Sequence, residues 1–275
     1  MTDSRLPAGI PDLDDLKRKG TPYPALMEKE EPAKPVVTLQ RYQELEQHLR
    51  NSPADADGYL ELSRIYLSQG RSFDAKRVLD RAMEHLSDDA RIVYEWEEMQ
   101  VARSRQLLDQ AEQALLQEKT VANREARDRC TIDLANTRIQ VCKARLEREP
   151  HNLEIALPLA NAYRQLGRFQ EAIDVLQRAK ANSQIRARAC LQLGMVFMQI
   201  DKPLEAIAAF RQAALYRAPP PPEKIRDKAL ELAAEVAEKV GLIASARRYV
   251  QLRLESNPSD PALLAQQKRL SERTI

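Results

Sequence analysis

The chain has 275 residues, of which 31% are charged and only 5% aromatic, and its formal net charge is +2. This composition is typical of a soluble, helix-rich protein, and with no run approaching 18 apolar residues it predicts no membrane span. The first residues lack the apolar segment of a signal peptide and the three cysteines form no CxxC pair, so we expect a reducing, cytoplasmic environment.

Residues 1–37 predict a disordered or extended arm, because six prolines and charges of both signs occur there without periodicity. One short piece, residues 10–19, has acidic residues early and basic residues late, with Asp12 as a candidate helix cap. Two interpretations stay open. The piece belongs to a plain tail, or it is a docking peptide for a partner or for a groove of this protein.

Helices that cap a helical array are predicted at both ends of the remaining chain. The first spans 38–51, with Thr38 as its cap, and the last spans 260–273. Their apolar residues follow helical spacing: Leu39, Tyr42, Leu45 and Leu49 in the first, and Leu263, Leu264 and Leu270 in the last. We expect each helix to cover an open end of the helix pairs that lie between them.

One pattern of apolar and small residues recurs in this central part, at 56–89, 153–186, 187–220 and 227–260. The second and third copies are 34 residues apart, and a proline-rich insertion places the fourth 40 residues after the third. The matches between the second and third copies are Leu159 and Leu193, Ala160 and Gly194, Tyr163 and Phe197, Ala172 and Ala206, Leu176 and Phe210, and Ala179 and Ala213. Residues three or four apart share a helix face, so each copy predicts two helices that pack closely at the small residues. Gly70 and Gly167 are predicted to end the first helix of their copies in the left-handed conformation.

The interval 90–152 departs from this pattern, with no glycine and a single proline near its end. Its apolar residues form two stripes: Val101, Leu108, Ala111 and Leu115 upstream, and Ile132, Ala135, Ile139, Cys142 and Leu146 downstream. The downstream stripe has heptad spacing and the upstream stripe matches it, with a turn expected near residues 119–123. We predict an antiparallel hairpin of two helices of about 28 residues, projecting about 20 Å beyond its neighbours. A single uninterrupted helix is the alternative.

The repeated copies resemble the tetratricopeptide repeat (TPR) family, with its small residue at position 8, aromatic at 11, glycine at 15 and alanines at 20 and 27. The resemblance implies an all-α fold, a right-handed TPR-like α-solenoid over residues 38–275, with the long hairpin at its centre. Pro158 lies inside the first helix of the second copy. It either kinks that helix or marks a late helix start.

In this family the first helix of each pair lines a concave groove that holds protein segments. The positions concerned correspond here to Arg64, Leu157, Asn161, Arg164, Arg188, Leu191, Gln192, Met195 and Lys228. The amides can bond a peptide backbone, the arginines can pair with a carboxylate, and the apolar side chains offer contact area. Family members that hold the C-terminal carboxylate of chaperones use a Lys/Asn/Asn/Lys/Arg set. Asn161 and Arg188 match that set, but Leu157 and Gln192 replace a lysine and an arginine, so it is incomplete.

No motif in the sequence points to catalysis, a cofactor or a metal. The histidines His48, His85 and His151 are scattered, and no glycine-rich phosphate loop or nucleophile motif occurs. Nucleic-acid binding is not favoured, because the arginines of 124–148 alternate with acidic residues and the repeat aromatics fall at core positions. The excess of basic residues in 186–275 is either a solvated surface or a patch for an acidic partner.

These patterns together predict a non-enzymatic adaptor or scaffold that binds a segment of another protein in its groove. Two alternatives stay open: a chaperone for a secreted or assembling partner, which would share the fold, and a nucleic-acid-associated factor. Self-association through the long hairpin is a further prediction.

Overall fold

The computed structural model describes residues 39–216 and 218–273, and every regular element in these ranges is a helix. The all-α prediction is confirmed. The predictions for the arm at 1–37 and for the cap at Thr38 lie outside the described residues. The described chain forms two compact units that divide between Val93 and Tyr94.

Between residues 39 and 93, the described part of the first unit has three complete helices: α1 (Leu39–Asn51), α2 (Ala56–Ser68) and α3 (Ser72–His85). Helix α1 packs on α2 and α2 packs on α3. The α1 face that was predicted to be apolar buries Leu45 and Leu49. The Asp55 carboxylate caps α2 by accepting a hydrogen bond of 3.2 Å from the Gly58 N–H. This capping bond satisfies one of the amide groups that a helix start leaves unpaired.

The long hairpin consists of α4 (Ala90–Gln117) and α5 (Val121–Arg148), and all but the first four residues of α4 belong to the second unit. The Thr120 hydroxyl caps α5 by accepting from the Asn123 N–H. The two helices run antiparallel, because the Ser104 and Thr137 hydroxyls lie 3.2 Å apart while Asn123 donates to the Ala114 carbonyl near the turn. The predicted hairpin is therefore present, and the alternative of one uninterrupted helix is wrong.

The heptad stripe of α5 packs on the following helix pair, whereas its match to the stripe of α4 suggested contact with α4. Ala135, Ile139 and Cys142 belong to one buried cluster with side chains of the following helix pair. Contacts of α5 with α4 come from another stripe, which contains Thr137 and Arg145. The stripe of α5 is therefore buried against the repeats, where apolar surface is plentiful, a neighbour that its match to the α4 stripe did not predict.

The rest of the second unit is a row of helix pairs. Its helices are α6 (Ala156–Gln165), preceded by a 3-10 turn at Leu153–Ile155, α7 (Phe169–Ala179), α8 (Arg186–Gln199), α9 (Pro203–Leu215), α10 (Glu223–Lys239), α11 (Ile243–Ser256) and α12 (Pro261–Glu272). Each helix packs on the next, from α5 to α12, and α8 also contacts α6 and α10. The first helices of three successive pairs, α6, α8 and α10, are therefore neighbours.

The first helix of each repeat ends in the same way. A backbone N–H donates to the carbonyl five residues earlier in all four copies: Arg71 to Tyr66, Arg168 to Tyr163, Lys202 to Phe197 and Leu242 to Ala237. This bond closes a Schellman motif, which needs a left-handed residue just before the donor. Gly70 and Gly167 supply it with φ of 74° and 72°, as predicted.

Pro158 lies in the first turn of α6, because the α-helix begins only at Ala156. Amide groups of a first turn have no partner within the helix, so the proline removes no hydrogen bond there. Of the two interpretations of this residue, the late helix start is confirmed.

Candidate functional site

Eight of the nine predicted groove residues lie on the neighbouring helices α6, α8 and α10. Three are on α6, four on α8 and one, Lys228, on α10. The ninth, Arg64, is an exposed residue of α2 in the first unit and is described by itself. The second unit alone thus brings most of the predicted set onto adjacent first helices.

The apolar members of the set are buried. Leu157 and Met195 are each 4% exposed and Leu191 is completely covered. The reason is the central place of α8, which is contacted by α6, α7, α9 and α10 and buries nine of its fourteen residues. In this structure these three side chains contribute to packing between helices. Asn161 and Gln192 are buried as well, so the partly exposed members on these helices are Arg164, Arg188 and Lys228.

Asn161 is held by a neighbour on its own helix. Its side chain is 8% exposed, and its Oδ1 accepts a hydrogen bond of 2.8 Å from Nη2 of Arg164, which lies three residues later. Residues three apart are neighbours on a helix surface. The bond orients the partly buried guanidinium of Arg164 and occupies the acceptor atom of the amide.

Arg188 and Gln192 lie one helical turn apart on α8, with hydrogen-bonding capacity that the described protein does not use. Gln192 is 4% exposed, and no donor in the described part of the chain reaches its Oε1. Arg188 is partly buried, and it makes no hydrogen bond or ion pair with any described residue. Side chains four apart face the same way. Arg188 in the first turn of α8 is therefore partly exposed, and the buried amide of Gln192 lies one turn later on the same side of the helix.

Lys228 on α10 is already paired. Its Nζ lies 3.0 Å from Oε2 of Glu231, three residues later on the same helix. Glu231 was not among the predicted site residues, although its i, i+3 spacing from a lysine is a readable signal. The pair leaves α10 less basic at this point than the lysine alone would make it.

A small open cleft of about 210 Å³ lies between the start of α10 and the end of α11. Asp227 accepts two hydrogen bonds from Arg253 there, of 2.8 and 3.2 Å, and Arg226 donates to the Ser256 hydroxyl. These charged groups satisfy one another, so the cleft resembles a structural contact between helices more than a ligand site.

Chemistry beyond binding finds little support in the described residues. No group of three His, Cys, Asp or Glu side chains among them is placed to hold a metal ion. Burial raises the pKa of the Cys190 thiol on α8, which keeps it protonated and poorly nucleophilic. Among the described helices, none is both long and apolar enough to span a membrane.

The paired helices with left-handed closures and a row of adjacent first helices define a helical-repeat protein. Residues 139–189 and 187–218 each match a Tetratricopeptide repeat family. The first match begins inside α5, in agreement with the packing of that end of α5 on α6. The part of the chain from residue 139 to residue 218 therefore contains tetratricopeptide repeats.

Several solved structures are similar to this chain. YrrB, described as a TPR protein with an unusual peptide-binding site, is 15% identical, and the match covers 82% of this chain and 99% of that one with a TM-score of 0.50. TTC0263, a thermophilic TPR protein of Thermus thermophilus, is 19% identical over 79% of this chain and 99% of its own, with a TM-score of 0.41. MamA is 19% identical over 72% and 88%, with a TM-score of 0.48. No curated protein sequence matches the chain.

Proposed function

We propose that this protein is a non-enzymatic scaffold that binds an extended segment of a partner protein along α6, α8 and α10. The single observation that carries the proposal is the pair Arg188 and Gln192, whose donors and acceptor are unused among the described residues. The TPR fold supports it, and so does the peptide-binding site that the description of YrrB names.

The two side chains are complementary to a peptide that carries an acidic group. The planar guanidinium of Arg188 can donate two parallel hydrogen bonds to a carboxylate. The Oε1 of Gln192 can accept from a backbone N–H, and a buried acceptor without a partner costs about 1–3 kcal/mol. A hydrogen bond from a peptide N–H to this acceptor would offset that cost.

Arg164 extends the same chemistry to α6, where Asn161 holds its guanidinium in place. Two arginines on adjacent first helices favour a partner segment with at least two acidic groups. Lys228 adds less, because Glu231 neutralises it. As part of this proposal we place the protein in the cytoplasm, where the three cysteines, all free in the structure, would stay reduced.

The test begins with a pull-down and mass spectrometry, followed by titration of overlapping peptides from the partner against the purified full chain. We expect Arg188→Ala and Gln192→Ala each to weaken binding by about 1–3 kcal/mol, roughly ten- to hundredfold. Arg211→Ala, which removes an exposed arginine from α9 of the same repeat, is the matched control and should bind like the wild type. The proposal would be overturned if Arg188→Ala and Gln192→Ala bound the peptide as tightly as Arg211→Ala and the wild type.

The two alternatives predict different behaviour in the same titrations. A nucleic-acid-associated factor would bind oligonucleotides with an affinity that falls steeply with salt, because counterions are released from phosphates. A chaperone would bind its partner unfolded and lose it on folding. The scaffold is favoured if the folded partner binds through its peptide segment and Arg188→Ala weakens this binding at one fixed salt concentration.

A further inference from the structure

The connection between α9 and α10 contains the proline-rich insertion that separates the third and fourth copies of the repeat. Helix α9 ends at Leu215 and α10 begins at Glu223, and residues 219–222 between them are four consecutive prolines. We call these four residues the proline segment. Three of them are exposed and the other, Pro221, is partly buried. Burial in the core therefore does not account for most of these rings.

The proline segment keeps its conformation through its own covalent structure. A proline ring fixes φ at about −65°, and a residue that precedes a proline is restricted to a ψ of about 120–160°. Together these limits give a polyproline II helix. Pro222, the last of the four, has φ of −54° and ψ of 138°, and the bonds that join the prolines are trans. The segment needs no neighbour to hold this shape.

The proline segment presents apolar rings together with hydrogen-bond acceptors. Prolines have no backbone N–H, so the backbone of the segment can only accept. The Pro222 carbonyl accepts from the Arg226 N–H at 2.9 Å, but no backbone N–H of a described residue donates to the carbonyls of the three prolines before it. A polyproline II helix has three residues per turn, so Pro219 and Pro222 lie on one edge. Both are exposed.

We propose that the proline segment is a docking site for a partner protein domain whose groove is lined with aromatic side chains. Grooves of this kind recognise a polyproline II segment with two prolines three residues apart, as Pro219 and Pro222 are. Their aromatic faces pack on the rings, and the N–H and O–H groups of tryptophan and tyrosine can donate to the carbonyls. Residues 218–222 carry no charge, so an apolar groove suits them better than a charged one.

Binding at this site has a low entropic cost, because the segment is already in the conformation that such a groove recognises. The site is also separate from the side chains of α6, α8 and α10 that we propose to hold a partner segment. A chain with both sites brings two different proteins together, which goes beyond the binding of a single segment.

The first experiment compares what the full wild-type chain and a Pro219→Ala/Pro222→Ala variant capture from a lysate of the source organism. Each protein captured by the wild type alone is purified and titrated against the full chains by calorimetry. We expect the double variant to bind about tenfold or more weakly, because alanine lacks both the ring contacts and the fixed backbone. Pro258→Ala, at an exposed proline of the connection between α11 and α12, is the matched control and should bind like the wild type. Helicity by circular dichroism checks that each variant is folded.

The second experiment asks whether the captured partner uses an aromatic groove, and it needs no variant. The partner is isotopically labelled and the full wild-type chain is not, so NMR sees only the side chains of the partner. We expect aromatic and indole signals of the partner to shift on binding, and a short synthetic polyproline peptide to compete. The inference would be overturned if no captured protein depended on the two prolines, if the partner bound the double variant as tightly as Pro258→Ala, or if its aromatic signals did not move.

Discussion

Gly194 of α8 and Phe210 of α9 are in direct contact where the two helices of one repeat cross. A β-carbon added to Gly194 would lie 2.3 Å from Cε1 of the Phe210 ring, which is itself fully buried. Only a residue without a side chain allows the ring to occupy this place. The alanine at the equivalent position of the preceding repeat, Ala160, faces the smaller Leu176 side chain in the sequence pattern.

The first prediction is that Gly194→Ala destabilises the protein. Alanine favours a helix by up to about 1 kcal/mol over glycine, but overpacking a tight core costs about 1–3 kcal/mol. Because the added carbon overlaps a fully buried ring, we expect the steric cost to win and the urea midpoint of unfolding to fall. Adding Phe210→Leu should recover part of the loss. If Gly194→Ala alone were as stable as the wild type, the Phe210 ring would be shown to move aside freely.

The repeat pattern predicts this contact well, because a period of 34 residues marks which positions must be small before any coordinates exist. It also predicts the left-handed residues after α2 and α6, since the Schellman closure tolerates few residue types. The pattern does not say which helix covers an apolar face. The stripe of α5 shows this, because Ile139 and Cys142 are equally suited to packing on α4 or on α6, and only the competition for buried area decides.

The candidate site was predictable in position but not in exposure. Family positions place Leu191 and Arg188 on the same first helix, and the structure agrees. The same reasoning cannot tell that Leu191 is completely covered while Arg188 stays accessible, because burial depends on four neighbouring helices at once. Pairings such as that of Lys228 with Glu231 depend on side-chain rotamers and are equally hard to foresee.

The second prediction concerns Asp201, which takes the place of the closing glycine after α8. Its φ is 56°, and it is the one described residue other than glycine with a positive φ. Left-handed backbone is costly for residues with a β-carbon, though less so for Asp. We expect Asp201→Gly to raise stability by about 0.5 kcal/mol and Asp201→Ala to lower it by about 1 kcal/mol. Thermal unfolding of the three proteins checks the order Gly, Asp, Ala, and the reverse order would contradict it.

The third prediction is a pH dependence at the start of α2. The hydrogen bond from the Gly58 N–H is the main cause that lowers the pKa of the Asp55 carboxyl, and His48 adds to the effect from 3.0 Å. A lowered pKa in the folded state means that the stabilisation is complete above the ordinary carboxyl value and disappears as the pH falls through the folded value. Removing the cap with Asp55→Ala should cost about 1 kcal/mol near neutral pH.

The measurement is the difference in unfolding free energy between wild type and Asp55→Ala as the pH falls from neutral to about 3. We expect the difference to shrink, because protonation weakens the cap only in the wild type. Asp55→Asn is the control, since asparagine caps a helix without titrating. A difference that stays constant with pH would show that the carboxylate charge does not contribute.

The last prediction concerns the base of the long hairpin, where a buried carboxylate joins its two helices. Glu97 of α4 is 3% exposed, and its oxygens accept hydrogen bonds from Arg145 at 2.8 Å and from Arg148 at 2.5 Å, both on α5. Glu97→Gln removes the negative charge that both arginines share, but Arg145 keeps its contact with Glu98 and the Arg148 side chain is 44% exposed, so we expect a cost of about 1–3 kcal/mol. Glu97→Gln should therefore destabilise the hairpin base, seen as faster hydrogen exchange in α4 and α5 and a lower urea midpoint.

Glu98→Gln is a matched control, because Glu98 pairs with the same Arg145 at 2.8 Å but its side chain is 51% exposed. Exposed ion pairs contribute at most about 1 kcal/mol, so this control should change little. Equal effects of the two glutamine variants would mean that burial of Glu97 does not strengthen its pairing with the arginines.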